Sequence, residues 1–137
     1  MDTPVTTPAH DARNLLKTLQ ERFQVFRDFQ PLAIGIDKQL HAADASLNRK
    51  VLRLALGMHT NSYRYLKSME KATQRFNLDG TPGAEVPEEH RKHAADILRE
   101  RFKKEVARRK AQKEAEAAEK QRTEKLNQLM QKFGKRN

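Results

Sequence analysis

Apolar residues recur along most of this chain at helical spacing. From Asp11, Leu15, Leu19, Phe23 and Phe26 return every third or fourth position, with Arg13, Lys17, Glu21 and Arg27 between them. That pattern predicts an amphipathic helix that Pro31 ends. Pro31 to Ile36 reads as a short apolar entry, after which Leu40, Ala43 and Leu47 predict a second helix through about Ala45. A third is expected from about Asn48 to Met58, burying Val51, Leu52, Ala55, Leu56 and Met58, with Arg49 and Arg53 one turn apart on its other face and Lys50 beside them. Gly57 weakens the end of that helix by about 1 kcal/mol relative to alanine. Thr60 is read as the cap of a short fourth helix running to about Met69.

The period then changes. Thr73–Leu78 and Ala84–Val86 read as the arms of a small hairpin around Asp79-Gly80-Thr81-Pro82-Gly83. So small a hairpin must pack on the helices. Pro87-Glu88-Glu89 opens a last helix, with acids at the positive end of its dipole. Its residues Ala94, Ile97, Leu98 and Phe102 are expected to face the core. Arg108–Lys125 has strong helix propensity and almost nothing large to bury, which predicts a solvated helix. Leu126, Leu129, Met130 and Phe133 then restore a short apolar stripe. The expected fold is mainly α with a small β-hairpin. It comprises a disordered 1–10, a folded domain over 11–106 and a basic, exposed C-terminal helix over 107–137.

Charge sharpens this picture. The 137 residues carry a net +10. Residues 1–89 hold 12 basic and 11 acidic groups, whereas residues 90–137 hold 16 and 7. An excess placed so unevenly predicts a polyanionic partner, most often nucleic acid, over a merely solubilising face. Without cysteine there are no disulfides, thiolate nucleophiles or cysteine-based zinc sites. No apolar run approaches a membrane span and the N-terminus does not read as a signal peptide, so a cytoplasmic protein is expected. His90 and His93 stand three apart, but a histidine pair alone is more often packing than a metal site. There is no phosphate loop, nucleophile elbow or carboxylate pair. Neither an enzyme nor a cofactor is expected.

The densest candidate chemistry lies between Thr60 and Gly80. This stretch holds both tyrosines, Tyr63 and Tyr65, and the cations Arg64, Lys67, Lys71 and Arg75 against the single acid Glu70 before the turn. A helix start at Thr60 and Ser62, phenols, cations and a tight turn together suit a phosphate-bearing ligand. Tyr63 and Tyr65 are two apart and point to different faces of a helix, so one is core and the other exposed.

Pro31-Leu32-Ala33-Ile34-Gly35-Ile36, Leu52-Arg53-Leu54-Ala55-Leu56, Ser62-Tyr63-Arg64-Tyr65-Leu66 and Arg75-Phe76-Asn77-Leu78-Asp79-Gly80 follow one another in the order and spacing of the ProQ/FinO domain. From about Leu15 to Arg101 the chain resembles this family of bacterial RNA-binding proteins and RNA chaperones. The resemblance implies Tyr63 as packing, Tyr65 and Arg75 as RNA contacts, and Arg49 and Arg53 on a concave RNA-binding surface. The Thr60–Ser62 helix start reads either as a cap alone or as a cradle whose backbone N–H groups hold a 3′-terminal phosphate or ribose hydroxyl. The implied partners are small RNAs, mRNA 3′ ends and stem-loops with single-stranded tails, bound by a monomer that pairs small RNAs with targets. Two positions depart from relatives: Ala33 stands where several carry lysine, and Gly57 where some carry arginine. The chain also lacks the linker and second domain of some relatives, which reads as a minimal version. Two other readings compete. The helices at 48–58 and 61–69 outline a helix-turn-helix for double-stranded DNA. The stripe at 126–133 suits a helical protein-interaction module.

Overall fold

The computed structural model describes residues 7–134. Helix α1 spans Pro8–Arg22. It begins earlier than the apolar pattern suggested, because Thr7 caps it by accepting the His10 amide at 3.2 Å and Pro8 occupies the first turn. Residues 7–10, expected to be disordered, are therefore ordered, and residues 1–6 lie outside the described residues. The helix also ends earlier. Phe23 is extended, α2 (Gln24–Arg27) is a separate turn, and the Arg27 guanidinium donates to the carbonyls of Gln20 at 3.2 Å and Glu21 at 2.6 Å. This interruption lets both Phe26 and Leu19 bury fully.

Helix α3 (Ile36–Ala43) starts at Gly35, whose φ of 84° suits glycine. Helix α4 (Arg49–Thr60) is capped by Asn48, which accepts from the Lys50 and Val51 amides. Helix α5 (Tyr63–Glu70) follows, then the antiparallel strands β1 (Gln74–Phe76) and β2 (Pro82–Glu85). The Pro31–Ala33 segment lies alongside β1: the Phe76 amide donates to Pro31 O at 2.8 Å and the Ala33 amide to Phe76 O at 2.9 Å. Gln39 on α3 ties down the hairpin turn by donating to Asn77 Oδ1 and accepting from the Leu78 amide. Helix α6 spans Glu88–Gly134.

The described residues form two compact units, one ending at Leu98 and one beginning at Arg99. The first has a single core of Leu19, Val25, Phe26, Leu32, Leu40, Leu52, Tyr65, Leu66 and Val86, with Ala94, Ile97 and Leu98 packed against it. Phe102, expected to join that core, is 69% exposed. The second unit is helix alone. Glu105 binds Arg108 at 2.7 Å and Arg109 at 3.1 Å, and Glu119 binds Arg122 at 3.5 Å. The Arg108 and Arg109 hydrogen bonds pull the Glu105 carboxyl down to about 2. Leu126, Leu129, Met130 and Phe133 are each more than half exposed. Among the described residues no helix is long and apolar enough to cross a membrane.

Candidate nucleic-acid interface

Helix α4 carries Arg49, Lys50, Arg53 and Thr60, and α5 carries Arg64, Tyr65 and Lys67, with Ser62 capping its start. The Ser62 hydroxyl accepts from the Tyr65 amide at 3.3 Å and donates to His59 O at 2.6 Å. Thr60, read from the sequence as the cap, instead closes α4 and donates to Gly57 O at 3.3 Å. The register moves by two residues because α4 continues through His59, whose side chain fills the core.

The tyrosines take the opposite places from those expected. Tyr63 is 62% exposed and Tyr65 only 5%. The Tyr65 hydroxyl accepts from the Leu32 amide at 3.1 Å, while the Arg75 guanidinium donates to Leu32 O at 2.9 Å. These two side chains thus clamp both polar groups of one residue in the strand-like Pro31–Ala33 segment. The second Arg75 nitrogen contacts His90 Nδ1 at 3.0 Å. A guanidinium only donates, so Nδ1 is the accepting side of this contact. Thr60, Asn61, Tyr65, Arg75, His90 and His93 line a cleft of about 330 Å³ above Met69 and Ile97. His90 and His93 are therefore neighbours of Arg75, and no group of three or more potential ligands able to hold a metal occurs among the described residues.

Arg49 and Arg53 line a second cleft of about 470 Å³ with Lys38, His41 and Asp37, floored by Leu52 and Leu56. Sequence reasoning missed Lys38 and His41, because only the packing of α3 on α4 brings them there. Arg49, Arg53 and Thr60 share one face of α4 by helical periodicity, with Gly57 on its flank. The twelve residues from Arg49 to Thr60 rise roughly 17 Å, so this face runs from the second cleft to the first. A Cβ built on Gly57 meets nothing within 4 Å, so the path has room for a side chain there.

Arg64 and Lys67 belong elsewhere. They line a groove of about 440 Å³ with Arg27, Asp28, Phe29 and Tyr63. Lys50 and Lys71 are exposed and line none of these three depressions. Beneath the clefts lies His59, fully buried, with neither ring nitrogen hydrogen-bonded to a protein group. It stacks on Phe29 at 4.8 Å and tilts against Phe26 and Tyr65, and desolvation pushes it down to about 4. No sequence signal distinguished it from the other histidines.

The fold and its clefts define a small helical domain with guanidinium and imidazole groups from several elements lining two clefts beside α4, chemistry suited to anions. The chain belongs to the ProQ/FINO family, whose model matches residues 9–112. It is 38% identical over 109 residues to the RNA chaperone ProQ of Shewanella oneidensis, covering 74% of this chain and 51% of that one. It is likewise 38% identical over 106 residues to the RNA chaperone ProQ of Idiomarina loihiensis, covering 75% and 51%. The chain thus spans about half the length of these relatives. A crystal structure of a FinO-like RNA chaperone from Neisseria meningitidis superposes with a TM-score of 0.58 at 30% identity, covering 61% of this chain and 88% of that one. The solution structure of a ProQ homolog from Legionella pneumophila shares the fold, with a TM-score of 0.51 at 24% identity.

Proposed function

We propose that this protein binds structured RNA, a stem-loop followed by a single-stranded 3′ tail, and promotes pairing of small RNAs with their targets in the cytoplasm. The observation that carries this reading is the α4 face, which joins the Arg49–Arg53 cleft to the Thr60–Arg75 cleft over roughly 17 Å. The cations of the Arg49–Arg53 cleft suit the phosphates of an A-form stem, whose deep, narrow major groove side chains cannot read. The Thr60–Arg75 cleft, smaller and lined by Asn61, Tyr65, Arg75 and two histidines, suits the end of a strand. Relatives named RNA chaperones support the assignment to RNA. The basic helix beyond Leu98 adds phosphate screening that lets two RNA strands approach. The proposal requires no catalysis.

The experiment is binding of a terminator-like RNA hairpin with a 3′ uridine tail, free or blocked by a 3′ phosphate, at two salt concentrations. Blocking is expected to cost about ten-fold, or 1.4 kcal/mol, at both salts. Equal binding of both RNAs, or equal binding of a DNA hairpin of the same length, would overturn the end-recognition reading.

A further inference from the structure

Tyr63 is a large aromatic residue left mostly in solvent on a helix whose other apolar residues are buried. It stands two residues from Tyr65, hence on the opposite side of α5 from the end cleft. The groove that Tyr63 lines with Arg27, Asp28, Phe29, Arg64 and Lys67 shares no lining residue with either cleft along α4. Lys67 Nζ sits 5.7 Å from the Tyr63 ring centroid, and the Arg64 guanidinium lies 5.1 Å from that of Phe29. Phe29 holds a backbone φ of 52°, unusual for a bulky residue, and is pinned there by its stack on the buried His59 ring at 4.8 Å. His59 in turn packs against Tyr65 at 5.4 Å. The groove therefore rests on a rigid aromatic floor. Arg27 is committed to the carbonyls closing α1, and Asp28 accepts from Gln24; Lys67 pairs with Glu70 at 3.6 Å but its side chain stays half exposed, so Arg64 and Lys67 are the cations positioned to meet a ligand.

An exposed ring flanked by cations is the chemistry that holds unpaired nucleotides: the base stacks on the ring and the phosphates meet the cations, without sequence readout. We infer that the Tyr63–Arg64–Lys67 groove is a second RNA-binding platform that takes a single-stranded segment while the α4 face holds a structured RNA. This deepens the RNA-binding reading above and rests on it. It gives pairing a geometry, with two strands held on opposite sides of one short helix.

The test uses the full chain and a labelled short oligouridine, titrated onto free protein and onto protein saturated with the terminator-like hairpin. Tyr63→Ala changes no charge, so the electrostatic attraction of the basic helix is the same in both proteins. The exposed position also leaves the fold intact, which an unchanged melting temperature checks. Oligouridine is expected to bind the saturated protein. Tyr63→Ala should weaken it at least about five-fold, and Tyr63→Phe should keep it within about two-fold, since a phenyl ring still stacks. Hairpin affinity should stay unchanged in both variants. The inference is overturned if Tyr63→Ala binds oligouridine like the parent, if the hairpin displaces all oligouridine, or if Tyr63→Ala weakens hairpin and oligouridine equally. A parent protein that binds no hairpin would sink the proposed function instead, and the free-protein titration would still decide whether Tyr63 holds single strands.

Discussion

At the scale of single residues, the candidate ligand contacts also hold the fold. Arg75 bridges Leu32 O and His90, so removing it exposes an unpaired buried carbonyl as well as deleting a cation. Arg75→Ala is expected to lower stability by about 1–3 kcal/mol and to weaken RNA binding. His90→Ala, at an exposed position, should weaken RNA binding with little change in melting temperature. Thermal denaturation beside hairpin titration separates the two, and equal losses of stability would argue against the exposed role of His90. His59 supplies a pH signature. Its folded state stays neutral down to about 4, whereas the unfolded imidazole protonates near 6.5. The unfolded chain therefore binds the extra proton between those values. Stability from this residue is complete above pH 6.5 and falls as pH drops towards 4, by up to about 1.4 kcal/mol per pH unit. Urea denaturation across that window should show the slope, and His59→Phe should flatten it.

Elements decide the next level. The interruption of α1 at Phe23, the glycine start of α3 and the caps at Asn48 and Ser62 fix where helices begin and end. Ser62→Ala removes the hydroxyl that joins α4 to α5 and should cost about 1 kcal/mol, read as a lower urea midpoint. Gly57→Arg has the opposite sign. Its site is open, its backbone helical, and arginine exceeds glycine in helix propensity by close to 1 kcal/mol. The variant is expected to be more stable and to bind the hairpin more tightly, with a steeper salt dependence from the added phosphate contact. A stabilised variant with unchanged affinity would remove the α4 face from the binding path.

For the molecule as a whole, the charge is divided between two compact units. The second, from Arg99 onward, buries no large side chain, so its helix is held by local pairs such as Glu105 with Arg108 and Arg109. Deleting residues 108–137 should make binding less salt-sensitive and slow strand pairing by more than two-fold, while the penalty for a blocked 3′ end persists. A gel-shift salt series and a pairing assay measure both. Loss of the end preference on truncation would move the recognition chemistry out of the folded unit.

Much of this was legible in the amino-acid order. The helical class, the hairpin around Asp79-Gly80 and the basic C-terminal helix follow from periodicity, turn chemistry and propensity, all of which act between near neighbours. The family resemblance followed from four motifs in register. The places of Tyr63 and Tyr65 were not legible, because periodicity states that two residues face apart and not which one meets the core. Tertiary packing decided that. It buried Tyr65 by offering its hydroxyl the Leu32 amide, and it left Tyr63 outside. The start of α5 at Ser62, the solvent exposure of Phe102 and the burial of His59 were settled in the same way. Lys38 and His41 joined Arg49 and Arg53 only when α3 packed on α4. The sequence by itself determined the elements and where the excess positive charge lies, since these depend on local order and composition. Only the tertiary structure decided which cations share a cleft, because that depends on contacts between residues far apart in the chain.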